Sequence, residues 1–121
     1  MTDFKFIDSS IWISYLLSDE EVKTVIDKED GLATSVLSLF EINKKLQRLG
    51  YSKAKINQAL SLIKQRSILC NVDEETVNVA IDFSKTLAIV DAILYATSQL
   101  NDFKLITKDN DFRGLKDVVI L

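Results

Sequence analysis

Five acidic residues fall where they could act on one ligand: Asp8, Glu41, Asp91, Asp109 and Asp111. Asp8 closes a short apolar run from Phe4 to Ile7, and Asp91 stands in the first turn of a segment with helical periodicity. Asp109 and Asp111 follow directly on a short run centred on Leu105 and Ile106. Glu41 lies beside an apolar stripe of Leu39, Ile42, Leu46 and Leu49, where no helix cap calls for a carboxylate. The others have plainer uses as well: Asp8 can start a turn, Asp91 can complement a helix dipole, and Asp109 and Asp111 can cap a turn before Gly114. Yet Asp8, Glu41, Asp91 and Asp109 all stand at junctions between strand and helix, on the side where strands end. Four carboxylates in reach of one another repel, which raises at least one pKa unless a hard divalent cation sits among them. Magnesium or manganese fits an all-oxygen site, and such a cation activates water and holds a phosphate oxygen.

The rest of the chain removes other chemistries. There is no histidine and only one cysteine, Cys70, so neither a thiolate and imidazole zinc site nor Ser-His-Asp or Cys-His catalysis is possible within it. Its three glycines form no phosphate-binding loop. With 121 residues, 47% of them hydrophobic and 27% charged, the chain is expected to be one globular domain over residues 1–121. No apolar run approaches the roughly 20 residues of a membrane span, and MTDFKFIDSS has no signal-peptide pattern, so the expected location is cytoplasmic.

The net charge of -3 is unevenly spread. No acid lies between Glu41 and Asp73, whereas Lys44, Lys45, Arg48, Lys53, Lys55, Lys64 and Arg66 do. A basic lobe beside an acidic, metal-ready pocket suits a phosphodiester enzyme, because the cations hold backbone phosphates. A solvated helix face accounts for the same lysines equally well.

These residues must be positioned by alternating strands and helices. Strands are expected at Phe4 to Ile7, Leu32 to Ser35, Ile68 to Val72, Lys104 to Thr107 and Val118 to Leu121. Between them, Ser9 or Ser10 is expected to cap a helix that buries Ile11, Trp12, Tyr15 and Leu16. Ser18 opens a capping box for a second helix ended by Gly31, and Gly50 closes the helix that carries Glu41. Ser52 starts the next, with Ile56, Leu60 and Ile63 on one face. A helix opened by Asp73, Glu74 and Glu75 bears Val77, Ile81 and Ser84 on one side. The last helix shows an apolar stripe of Ile89, Ile93, Ala96 and Leu100. This alternation predicts a three-layer α/β/α domain around a mostly parallel sheet of four to five short strands.

In order along the chain, FIDSSIWISYL, SLFEINKKL, LAIVDAILYAT and LITKDNDF resemble the PIN domains of the toxin type found in VapBC-type toxin and antitoxin pairs, small magnesium-dependent ribonucleases. The resemblance runs from Asp8 to Leu121, although KTLAIVDA lacks the glycine often seen before the third acid. It implies a pocket in which Asp8, Glu41, Asp91 and Asp109 hold Mg2+ or Mn2+. Asp111 would be auxiliary, and Ser10 and Thr107 would support the acids through hydroxyl hydrogen bonds. It further implies a single-stranded RNA substrate, a homodimer and a cognate antitoxin, and the basic lobe then offers Lys44, Lys45, Arg48, Lys53 and Lys55 as nucleic-acid contacts by its charge alone. Two other readings remain: a receiver-like phospho-acceptor domain, and a catalytically silent PIN-like module that only binds a partner. A receiver wants an acidic pair after its first strand and an acceptor aspartate in mid-chain, and this chain has neither.

Overall fold

Strand pairing sets the frame for the acids. In the computed structural model, which describes residues 4–121, the strands are β1 (Lys5–Ile7), β2 (Leu32–Ser35), β3 (Ile68–Cys70), β4 (Lys104–Thr107) and β5 (Val118–Ile120). They form one sheet in the order β3-β2-β1-β4-β5, and every pairing is parallel. Six helices fill the crossovers: α1 (Ser9–Leu16), α2 (Glu20–Asp27), α3 (Val36–Arg48), α4 (Lys53–Arg66), α5 (Glu74–Phe83) and α6 (Ile89–Leu100). A 3-10 turn spans Asn110–Phe112.

Because successive strand residues point to opposite faces, paired apolar residues in β1, β2 and β4 feed two separate cores. Phe6, Ala33 and Leu105 face α5 and α6, where they meet Ala80, Leu94, Tyr95 and Phe112. Ile7, Leu32 and Ile106 face α1 to α4, where they meet Ile11, Trp12, Ile26, Ile42 and Ile63. The expected three-layer α/β/α domain is the one observed, with a sheet that is wholly parallel.

Several local expectations are corrected by capping and packing. Asp8, not Ser9 or Ser10, caps α1 through its side chain, and Asp19, not Ser18, caps α2. Ser18 instead takes a positive φ of 67° in the tight link between the two helices. Gly31 is not a helix terminator, since α2 has already ended at Asp27. A Cβ there would stand 3.2 Å from the Phe4 ring, so its small size serves close packing. On α5, Val77 and Ile81 do share a side, but they are exposed, while Thr76 and Ala80 are buried. Ile89 and Leu100, the ends of the expected α6 stripe, are exposed too. Helix α6 buries Ala92, Leu94, Tyr95, Ala96, Thr97 and Ser98 instead, a broader face than a single stripe because both the sheet and α5 pack on it.

One buried polar relay ties the α1 to α4 side to the sheet. The indole N–H of Trp12 donates to Thr34 Oγ1 at 2.9 Å, Thr34 donates to Ser67 Oγ at 2.9 Å, and Ser67 donates to the Ile63 carbonyl at 2.7 Å. Trp12 and Thr34 are both fully buried. Thr34→Val keeps the shape but leaves the indole N–H unpaired, which should destabilise the fold by about 1–3 kcal/mol. Urea unfolding checks this, and an unchanged midpoint would mean that the relay contributes nothing.

Candidate metal centre

The sheet order reverses direction at β1, between the crossovers that build toward β3 and the one that returns to β4. In open parallel sheets the carboxyl ends of strands at such a reversal form a crevice. Asp8 lies at the end of β1, with its backbone N–H donating to the Ile106 carbonyl of β4 at 3.1 Å. Its side chain is held on both oxygens. Oδ1 accepts from Ser9 N at 2.8 Å, while Oδ2 accepts from Ser10 Oγ at 3.0 Å and from Thr107 Oγ1 at 2.7 Å. Asp8 thus caps a helix in the ordinary way and also presents a fixed charge to the crevice.

The loop after β4 is wired to the same residues. Thr107 Oγ1 accepts from Asp109 N at 3.0 Å, and Ser10 Oγ accepts from Lys108 N at 3.1 Å. Asp109 Oδ1 in turn accepts from Asp111 N at 2.9 Å, as the cap of the 3-10 turn. Gly114, with φ at 85°, provides the left-handed bend that turns the chain toward β5.

Asp91 arrives from the opposite side, on the first turn of α6, whose N-cap Ala88 makes no side-chain hydrogen bond. One carboxylate oxygen each from Asp91, Asp109 and Asp111 lies within 4.8 Å of the others. Asp8 and Glu41 stand outside that tight trio and reach it through their charge. Burial, and then the charges of Asp109, Asp8 and Asp111, push the Asp91 carboxyl up to about 6. Glu41 projects from the second turn of α3. Burial raises its pKa, the charge of Asp8 and then that of Asp91 add to this, and a hydrogen bond from Ser9 opposes it. Its Oε1 is buried without a protein partner, as is Ser38 Oγ one turn earlier on the same helix.

A donor set of carboxylate oxygens only, one of them orphaned and two of the acids raised by burial and by their neighbours' charge, fits a hard divalent cation of the magnesium or manganese kind. The basic residues fall into two groups. Lys44, Lys45, Arg48, Lys53 and Lys55 are exposed on α3 and α4, and none of them enters an ion pair among the described residues. Arg66 is committed elsewhere, donating to the Ile26 and Glu29 carbonyls and pairing with Asp27. Periodicity gives no warning of that, because its partners lie about 40 residues away. Lys108 is a further participant that residue patterning does not reveal. Its Nζ meets Asp19 Oδ2 at 2.9 Å, fastening the loop that carries Asp109 to the cap of α2. Its only sequence signal is its place between Thr107 and Asp109.

Residues 5–118 match the family model described as PIN domain. Among solved structures, a toxin-antitoxin complex from Klebsiella pneumoniae is similar, with a TM-score of 0.81, 24% identity and 95% of each chain covered. VapC20 of Mycobacterium tuberculosis, a toxin that cleaves the sarcin-ricin loop, gives a TM-score of 0.76 at 17% identity, covering 94% of this chain and 96% of its own. VapBC2 of Rickettsia felis, bound to a DNA fragment from its promoter, gives 0.76 at 12% identity, covering 98% and 97%. At these identities the likeness is one of fold. No curated protein sequence matches.

The raised acids have a consequence for metal-free protein. A carboxyl whose folded pKa lies above its unfolded value favours folding while protonated, so its contribution is lost as pH rises through the folded pKa. For Asp91 the window runs from 3.8 to about 6, and Glu41 acts in the same direction from 4.5 upward. Asp19 and Asp73, both lowered from 3.8, act below that window and with opposite sign. In EDTA, the melting temperature should fall between pH 4 and pH 7, and Asp91→Asn should flatten the fall. A parental slope in that variant would show that Asp91 is not compressed by its neighbours.

Proposed function

The chain belongs to the PIN domain family, and from that premise we propose that it is a metal-dependent endoribonuclease that hydrolyses single-stranded RNA as the toxin of a toxin and antitoxin pair. The observation that carries this reading is the meeting of Asp91, Asp109 and Asp111 oxygens within 4.8 Å, beside Asp8 and Glu41, at the carboxyl end of the sheet. Likeness in fold to toxins crystallised with or named for their antitoxin systems supports the assignment to that class.

In this reading Asp8, Glu41, Asp91 and Asp109 hold Mg2+ or Mn2+, and Asp111 assists. Bound there, the cation supplies a water of lowered pKa and a counter-charge for the phosphate. The protein's own groups do the rest. Ser10 and Thr107 keep Asp8 from rotating, since both donate to the same oxygen, and Thr107 also fixes Asp109 through its backbone. Lys44, Lys45, Arg48, Lys53 and Lys55 carry the phosphates that flank the scissile one. A chain without histidine has no imidazole pair for metal-free acid and base cleavage. The partners proposed are a second copy of the chain and a cognate antitoxin, and the proposed location is the cytoplasm, where RNA is met.

Incubation of purified protein with a mixed RNA pool and magnesium should yield products with 5′-phosphate and 3′-hydroxyl ends, because water attacks phosphorus in place of the 2′-oxygen. EDTA or Asp91→Asn should stop it. Cleavage that survives either, or that leaves 2′,3′-cyclic phosphate, would overturn the mechanism. Independently, magnesium at about 100 times its dissociation constant should add about 2.7 kcal/mol of stability, and a melting temperature indifferent to magnesium would count against a formed site.

A further inference from the structure

Phe40 is the most exposed large aromatic side chain among the described residues, at 65%, and it directly precedes Glu41 on α3. Adjacent helix residues diverge by about 100°, so Phe40 stands roughly a quarter turn round α3 from Glu41, whose Oε1 is buried. Packing does not explain the aromatic. The buried face of α3 is supplied by Ser38, Ile42 and Leu46, and Phe40 belongs to neither core. Residues three, four and seven positions on share its face, and these are Asn43, Lys44 and Gln47. Asn43 and Gln47 also line a groove of about 390 Å³ between α3 and α4, together with Tyr51, Lys53 and Asn57. The strip that begins at Phe40 therefore continues into a groove that holds a second, half-exposed aromatic, three side-chain amides and a lysine.

We propose that Phe40 is a stacking platform for one base of single-stranded RNA at the rim of the metal centre, with Lys44 on the adjoining phosphate and the Asn43–Gln47 groove receiving the next stretch of strand. The proposal rests on the ribonuclease reading and deepens it by assigning a base-binding subsite. Charge selects the occupant. The segment between Glu41 and Asp73 has no acid; Lys44 shares the helix face of Phe40, Lys53 lines the groove with Tyr51, and Lys45, Arg48 and Lys55 are exposed on the same two helices. Aromatic faces interleaved with cations bind single strands by stacking and phosphate neutralisation, with little regard to base identity. Side-chain amides offer donors and acceptors to the edges of bases that are splayed out.

The test uses the full chain with Asp91→Asn, magnesium present, and two labelled probes: an adenosine 12-mer and a ribose-phosphate 12-mer without bases. Phe40→Ala should weaken binding of the adenosine 12-mer by roughly tenfold, leave the baseless strand unaffected and keep the salt slope, since stacking releases no counterion. Phe40→Trp should bind as the parent does. Lys44→Gln should instead weaken both probes alike and flatten the salt slope by about 0.7. Parental binding of both probes by Phe40→Ala overturns the platform, as does equal weakening of both. So does a sedimentation shift from dimer to monomer with RNA binding intact, which would assign Phe40 to a protein interface. If the chain with Phe40 intact binds neither probe, the ribonuclease reading falls together with the platform; if it binds both and only the Phe40 effect is missing, that reading stands.

Discussion

Asp8 is the joint on which the centre turns. Its two oxygens are claimed by donors from α1 and from β4, and its backbone N–H bonds β4 as well. A carboxylate anchored in this way cannot swing away from its acidic neighbours. Burial raises the proton affinity of Asp91 and Glu41, and the charges of their acidic neighbours, Asp8 among them, raise it further. The rigidity of one acid and the compression of the others are two sides of a single arrangement.

That arrangement is possible because the sheet separates its duties. One residue of each adjacent pair in β1, β2 and β4 anchors α5 and α6, and the other anchors α1 to α4, so the strand ends are fixed from both faces. Asp91 is delivered by the helices of one face and Glu41 by those of the other. Loop 108–112 closes the gap with its own hydrogen bonds and is tethered to α2 by Lys108 and Asp19. A partly exposed ion pair of this sort contributes little to stability, but it limits where the loop can go.

Much of this is legible in the sequence, and the reason is local. Four of the five strands can be placed from short apolar runs and β2 from its position between two helices, and the acids stand out because each falls just past a strand or near the start of a helix, where topology collects ligands. What is not legible depends on partners distant along the chain. The inward face of α5 is marked by Thr76 and Ala80 and not by the larger Val77 and Ile81, since a close approach to α6 favours small residues. Arg66 looks like one more phosphate contact until its distant carbonyl partners are seen. The capping roles of Asp8 and Asp19 fall, in sequence, to neighbouring serines, because side chains of either kind can cap and only the backbone decides which one sits at the boundary.

The hydrogen bond between Thr107 and Asp8 spans 99 residues of sequence. Contacts of such long separation carry the loop-closure entropy of nearly the whole chain and form late. During synthesis Asp8 emerges first, and it must wait without its partner until β4 has been made and has docked beside β1. The acids therefore come together only after β4 has been made. Until β4 has docked, Asp109 and Asp111 have no fixed relation to Asp8, and the crevice they line does not exist.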